Sequence, residues 1–170
     1  MKPILKGKRI ILRKPQMKDS TSWFQEIRKI PKYKKHAKTK EQAKETIKEL
    51  IKEWNAKKKF NYTILFDKKL IGKITIKEID EKNKQAECGY WISPDFQRQG
   101  FAYEALHLIL KEAFKKLNRI YFYCREENRA SQKLLEKIGA KKEGILRESL
   151  IEHNKKTNQF IYSILKKEWK

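Results

Sequence analysis

The spacing of apolar residues divides the chain into helical and extended stretches. Arg9-Ile10-Ile11-Leu12-Arg13 reads as a short strand. Asp19 can cap a helix that carries Trp23, Phe24 and Ile27 on one side, and Pro31 ends it. A basic loop, Lys32-Tyr33-Lys34-Lys35-His36, follows. Thr39 and Gln42 form a capping-box pattern ahead of a second helix, where Ala43, Ile47, Leu50, Ile51 and Trp54 keep the helical period. Strands are predicted at 61–66, 70–77 and 86–92. The polar turns between them are too short for parallel crossovers, so they read as an antiparallel meander.

Beyond Ser93-Pro94-Asp95 the pattern alternates between helix and strand. A helix over 101–117 shows Ala102, Ala105, Leu106, Ile109, Leu110, Ala113, Phe114 and Leu117, an unbroken run of three- and four-residue steps. The run 119–124 is apolar and aromatic enough to be a buried strand. A helix separates it from 86–92, so those two strands should pair in parallel. A short helix over 129–138 ends at Gly139, a natural left-handed cap. Two closing strands, 143–151 and 159–165, are joined by a hairpin at 153–157. The expected order is β-α-α-β-β-β-α-β-α-β-β. That is an α/β domain with a mixed central sheet of about seven strands and about four helices.

The 170 residues suit one domain over 1–170 and are too few for two ordinary ones. No stretch approaches the ~18 apolar residues of a membrane span. Met1-Lys2-Pro3-Ile4-Leu5-Lys6 also lacks a secretory signal, so a cytoplasmic protein with no membrane partner is expected. Cys88 and Cys124 lie in apolar runs, which fits two reduced, buried thiols. With three scattered histidines, no metal site is expected. The formal charge of +22 would attract polyanions and anionic cofactors and repel polycations. However, only eight of the 43 basic residues are Arg and the lysines are spread along the chain, so compositional bias explains the charge equally well.

Candidate chemistry concentrates at Gln97-Arg98-Gln99-Gly100-Phe101-Ala102, where a strand, a turn and a helix start succeed one another. The first helical turn leaves backbone N–H groups unpaired, and the helix dipole adds partial positive charge. Gly100 allows a phosphate to approach the backbone, and Gln97 and Arg98 can add donors. Taken alone, one glycine at a helix start favours an ordinary helix entry over an anion site.

The surrounding residues carry a resemblance. Ala86-Glu87-Cys88-Gly89-Tyr90-Trp91-Ile92, then Pro94, then Gln97-x-x-Gly100-x-Ala102, resembles the cofactor-binding core of GNAT acetyltransferases. Downstream, Asn128-Arg129-Ala130-Ser131, Leu134, Glu136-Lys137-Ile138-Gly139-Ala140 and Glu143-Gly144 look like the Rim-type branch, which acetylates ribosomal-protein N-termini. The resemblance covers the chain from Arg9 to Trp169. It implies the GNAT fold, in which the parallel strands in mid-sheet splay apart after a bulge and the pantetheine arm of acetyl-coenzyme A inserts between them.

By the same resemblance, a backbone N–H near Tyr90, Trp91 and Ile92 would polarise the thioester carbonyl. Gln97, Arg98, Gln99, Gly100, Phe101 and Ala102 would hold the pyrophosphate. Glu87 occupies the position of the general base in several family members, with Glu148 as an alternative on the acceptor side. Leu150 stands where the base of some Rim-type enzymes aligns. Ser131 matches the serine proposed to protonate the leaving thiolate, and Leu135 replaces the tyrosine that does so elsewhere. Asn128 would bind the pantetheine or cap its own helix.

The resemblance also places the acceptor groove between the 32–36 loop and the 153–157 hairpin, with Tyr33 and Trp91 as aromatic walls. An N-terminal amine, with pKa about 8, needs less help from a base than a lysine or polyamine nitrogen near about 10.4. The expected reaction is therefore acetylation of a peptide N-terminus in a ternary complex. A small-molecule amine is the alternative acceptor. The basic rim would suit a neutral or acidic peptide and could help docking on the ribosome. The expected assembly is a monomer or homodimer. Two other classes stand beside these: a nucleic-acid-binding module, for which no motif is present, and a coenzyme A-binding protein without turnover.

Overall fold

Two short strands, β1 (Ile4–Lys6) and β2 (Ile10–Arg13), pair antiparallel across a turn closed by Gly7 N–H donating to the Ile10 carbonyl at 2.8 Å. They open a computed structural model that describes residues 1–31, 38–152 and 155–169. The helices α1 (Ser20–Ile27) and α2 (Lys40–Asn55) follow. Next come the meander strands β3 (Phe60–Phe66), β4 (Lys69–Asp80) and β5 (Gln85–Ile92). The chain then alternates through α3 (Phe101–Ala113), β6 (Arg119–Arg125) and α4 (Arg129–Lys137). It closes with β7 (Lys141–Glu152) and β8 (Lys155–Leu165). The eight strands form one sheet in the order β1-β2-β3-β4-β5-β6-β8-β7, in which β5–β6 is the parallel pair.

The sheet is thus the expected mixed one, with one strand more. β1 escapes a pattern reading because its three residues show a single buried side chain, Leu5, between exposed Ile4 and Lys6. α3 stops at Ala113, yet Phe114 and Leu117 remain buried in the turn beyond it, so the apolar run outlasts the helix.

Side chains alternate across a strand, so each face of the sheet meets different helices. Ala105, Leu106, Ile109, Leu110 and Ala113 of α3 pack with Ala86, Cys88, Ile120 and Phe122 in the larger core. On the opposite face, Trp23 and Ile27 of α1 and Ala43, Ile47 and Leu50 of α2 pack with Leu70 and Trp91. Both cysteines are free and buried, as expected.

Two helix starts differ from expectation. The Asp19 side chain does not cap α1. Its buried carboxylate instead accepts from Arg13 Nη1 at 2.8 Å, Arg13 Nη2 at 2.5 Å, Gln16 N at 2.8 Å and Thr63 Oγ1 at 3.3 Å. A buried carboxylate beside an arginine fork is better satisfied by a bidentate pair than by one backbone donor. At α2, Thr39 Oγ1 accepts from Gln42 N at 3.2 Å, as a cap should. The Gln42 side chain, however, returns to Lys38 N rather than to Thr39, so the capping box is completed one residue early.

Candidate active site

β5 and β6 pair over three residues only: Gln85 with Arg119, Ala86 with Ile120, and Glu87 with Tyr121. Beyond this point β5 stays bonded to β4 through Ile92, and β6 stays bonded to β8 through Arg125. The two strands diverge, and residues 88–92 face 122–125 across a gap with no ladder between them. Facing strand edges of this kind can accept an extended chain by main-chain hydrogen bonding. No register shift interrupts β5 between Glu87 and Ile92, so the splay does not follow a bulge there. The shifts flanking β4 lie at Ile64/Leu65 of β3, opposite Gly72 and Leu70, and at Lys77/Asp80 of β4, against β5. Past the splay, the end of β6 is tied to α4. Gln132 Nε2 of α4 donates to the carbonyls of Arg125 at 3.2 Å and Glu126 at 2.7 Å.

A side-chain hydrogen bond spans the divergence. Tyr90 Oη of β5 and Ser131 Oγ of α4 lie 2.9 Å apart. Burial raises the Tyr90 phenol well above its usual pKa, against a lowering contribution from the Ser131 bond, so the hydroxyl stays protonated at neutral pH. Asn128 Oδ1 accepts from Ser131 N at 3.1 Å, so Asn128 caps its own helix. Cys124 is buried at the same end of β6, its thiol within reach of the Arg125 and Asn128 carbonyls.

The turn at the end of β5 is the candidate anion site. Arg98 (φ 59°) and Gly100 (φ 82°) both adopt left-handed backbone conformations, which wind the chain tightly into α3. The first N–H bonded back within the helix is that of Glu104, to the Gly100 carbonyl. The N–H groups of Phe101, Ala102 and Tyr103 therefore have no acceptor inside α3. Gln97 Nε2 donates to the Ile92 carbonyl at 3.0 Å and Gln99 Nε2 to the Asp95 carbonyl at 3.1 Å, so both side chains brace the turn. Arg98 is exposed, and no hydrogen bond of its side chain appears among the described residues.

Arg9, in the bend just before β2, holds this turn, a role that residue type alone does not assign. Its Nη1 donates to the Gln99 carbonyl at 2.9 Å, its Nε pairs with Glu104 at 3.0 Å, and its guanidinium lies 4.5 Å from the Phe101 ring centroid. Burial alone would push the Glu104 carboxyl up, but donors from Arg9 and the Ile10 backbone outweigh it and hold the carboxyl low. A side chain at position 100 would meet Arg9 Nη2 at 3.2 Å. A left-handed glycine, unpaired helix N–H groups and a guanidinium beside them fit a phosphate. The open gap next to them fits an extended arm.

The face toward α1 and α2 carries the remaining candidates. Glu87 is nearly buried, and its carboxylate pairs with Lys77 Nζ at 2.9 Å. Trp91 is 7% exposed and meets Trp23 edge-on at 5.2 Å, so its ring forms the floor of this face rather than an open wall. Tyr121 and Tyr123 of β6 present aromatic surface on the same side, 5.7 Å apart, and Tyr123 is 42% exposed. The strand expected to be buried at 119–124 is buried on the face of Ile120, Phe122 and Cys124 and partly open on the face of Tyr121 and Tyr123. The signal was present, since Ile120, Phe122 and Cys124 alternate with Tyr121 and Tyr123. Glu148 sits on the edge strand β7, separated from β5 by β6 and β8. It is exposed and pairs with Lys156 at 2.8 Å, so it does not join Glu87. Tyr33, the rest of the 32–36 loop and His153 lie outside the described residues.

Among the described residues no helix is long and apolar enough to cross a membrane, and no cluster of His, Cys, Asp and Glu is suited to a metal ion.

Comparison with known proteins bears on this arrangement. A family model described as an acetyltransferase (GNAT) domain matches residues 9–141. YdaF of Bacillus subtilis, provisionally named a ribosomal N-acetyltransferase, is 33% identical over 108 residues, 62% of this chain and 59% of that protein. The ribosomal-protein-serine acetyltransferase of Escherichia coli is 31% identical over 90 residues, 52% of this chain and 50% of its own. The chain thus spans between half and just under two thirds of the curated relatives it matches. Among solved structures, a GNAT-family acetyltransferase from Bacillus anthracis is 26% identical with a TM-score of 0.82, covering 97% of this chain and 99% of that one. RimL, a ribosomal-protein alpha-N acetyltransferase solved with coenzyme A, has a TM-score of 0.89 at 18% identity, covering 95% and 97%, which is a likeness of fold.

Proposed function

The chain belongs to the GNAT acetyltransferase family, and on that premise we propose that it transfers the acetyl group of acetyl-coenzyme A to a protein N-terminal α-amine. The observation that carries the donor half is the gap between 88–92 and 122–125, opening beside the unpaired N–H groups of α3. Acetyl-coenzyme A would supply an activated thioester. The backbone of Gln99 to Ala102 and the exposed Arg98 would hold its phosphates, and the edge of β5 at Tyr90 to Ile92 would offer an N–H to the thioester oxygen.

Glu87 is the proposed base on the acceptor face, relaying a proton from the incoming amine while Lys77 holds one carboxylate oxygen. On the opposite face, Ser131 is the proposed donor to the departing sulfur. Tyr90 Oη lies 2.9 Å from Ser131 Oγ and is kept protonated by burial; in the proposed reaction it would donate to Ser131 Oγ and leave the serine proton for the sulfur. Tyr121 and Tyr123 would flank the acceptor. The names of the matched relatives, which include ribosomal-protein acetyltransferases, support an N-terminal amine as acceptor.

The test is thiol release from acetyl-coenzyme A against peptide N-termini, polyamines and aminoglycosides, read against Gly100→Trp and Ser131→Ala. Turnover with peptides is expected, with cofactor binding lost in Gly100→Trp and turnover lowered in Ser131→Ala. Normal coenzyme A binding by Gly100→Trp would overturn the phosphate assignment. Turnover with small amines only would transfer the reading to that acceptor class.

A further inference from the structure

On the face of the sheet that carries Glu87 and Trp91, the charges do not balance locally. Asp19 is matched by Arg13 at 2.5 Å, Glu26 by Lys29 at 2.9 Å, Glu53 by Lys59 at 2.6 Å and Glu87 by Lys77 at 2.9 Å. Lys73 stands among these pairs, on β4 opposite Trp91 of β5 and Thr63 of β3. No carboxylate lies within ion-pair distance of its ammonium among the described residues. Its recorded contact is with the Trp23 ring, 5.7 Å from Nζ to the centroid. Desolvation lowers the Lys73 ammonium to about 8, with repulsion from Lys59 and Lys77 opposing attraction to Glu53. The same Trp23, 3% exposed, has a buried indole N–H without an acceptor among the described residues. A desolvated ammonium and a desolvated N–H, both lacking acceptors, are costly unless an anion completes them.

We propose that Lys73, together with the Trp23 indole N–H, is an anion subsite that takes a carboxylate carried by the acceptor close to its reacting amine. This rests on the acetyltransferase reading for the identity of the ligand. The spacing suits it: β4 lies one strand spacing, about 4.8 Å, from β5, which borders the gap. One or two extended residues span roughly 3.4–7 Å, about the distance from an amine at the gap to a lysine on the next strand. An acidic residue at the second or third position of a peptide would reach it, and so would the carboxylate of a small amino acid. The subsite also disfavours polycationic acceptors.

The experiment compares wild type, Lys73→Met and Lys73→Arg, each first checked for folding by thermal unfolding. The substrates are two peptides differing only by Asp or Asn at position two, and a free amino acid with its amide. Acetyl transfer and calorimetric titration in the presence of coenzyme A are both measured. The expected result is a roughly tenfold preference for the acidic peptide in wild type, kept by Lys73→Arg and lost in Lys73→Met. A preference for the free acid over its amide, equally dependent on Lys73, would assign the carboxylate to a small acceptor and also support the subsite. Equal affinity for Asp and Asn peptides and for acid and amide, or a preference that survives Lys73→Met, overturns it. If wild type acetylates nothing but the titrations still show the Lys73-dependent preference, the subsite stands and the transfer reading falls.

Discussion

Replacing Gly100 by alanine and, separately, by asparagine distinguishes a backbone strained for folding from a backbone cleared for a ligand. Gly100 sits at φ 82° and opens α3. Alanine in that conformation costs about 1–2 kcal/mol, whereas asparagine tolerates it better. For a chain of this length about 1 kcal/mol moves Tm by roughly 2–4 °C, so Gly100→Ala should lower Tm by about 2–8 °C and Gly100→Asn by less. Both variants place a Cβ 3.2 Å from Arg9 Nη2, which must shift by a few tenths of an ångström and loosen its hold on the Gln99 carbonyl. Both also block close approach of a phosphate to the turn. Coenzyme A affinity should therefore fall at least about tenfold in both variants, about 1.4 kcal/mol, irrespective of their Tm. Differential scanning fluorimetry and calorimetric titration with coenzyme A give the two quantities. Wild-type affinity in both variants would refute the argument. So would a loss of affinity confined to alanine, since that would trace it to strain alone.

Other perturbations test the remaining assignments. Ser131→Ala should lower kcat by about 100-fold and Tyr90→Phe by about tenfold, with little change in KM for acetyl-coenzyme A. The double variant should be no worse than Ser131→Ala, because Tyr90 acts through Ser131; steady-state kinetics on all three decide it. Glu87→Gln should lower kcat/KM at neutral pH by about 100-fold and recover as pH rises and the acceptor amine loses its proton unaided; a pH–rate profile reads this. Lys73 carries a pH signature in stability. Its folded pKa is depressed to about 8 from 10.5, so the unfolded state binds more protons between those values and stability rises with pH across that window. The full shift corresponds to about 3 kcal/mol, and Lys73→Met should remove that slope in urea titrations from pH 7.5 to 10.5.

The elements around the site were legible because their periodicity is strong. The apolar steps of α3 and the glycine at its start announced the helix and its left-handed entry, and Gly139 at φ 92° ends α4 as expected. What could not be read were partnerships between distant residues. Arg9 lies 95 positions from Glu104, and only the pairing of β2 beside α3 makes it the brace of the turn. Asp19 has the residue type of a helix cap, and its role as an ion-pair partner depends on Arg13 emerging from β2 beside it. The bracing bonds of Gln97 and Gln99 to the Ile92 and Asp95 carbonyls likewise follow from the turn's geometry and not from residue type. Tyr90 was assigned for its backbone, and its hydroxyl gains meaning only where α4 brings Ser131 across the gap. Lys73 is one of many lysines in the sequence, distinguished only by the ion pairs formed around it.

The account stands on coenzyme A filling the gap between β5 and β6 with its phosphates on the first turn of α3. Amide hydrogen exchange, with and without coenzyme A, tests this directly. Slower exchange is predicted at residues 88–92 and 99–103, with β1 and β2 unchanged. Unchanged exchange at those residues in the presence of saturating coenzyme A, or protection confined to another part of the chain, would contradict it.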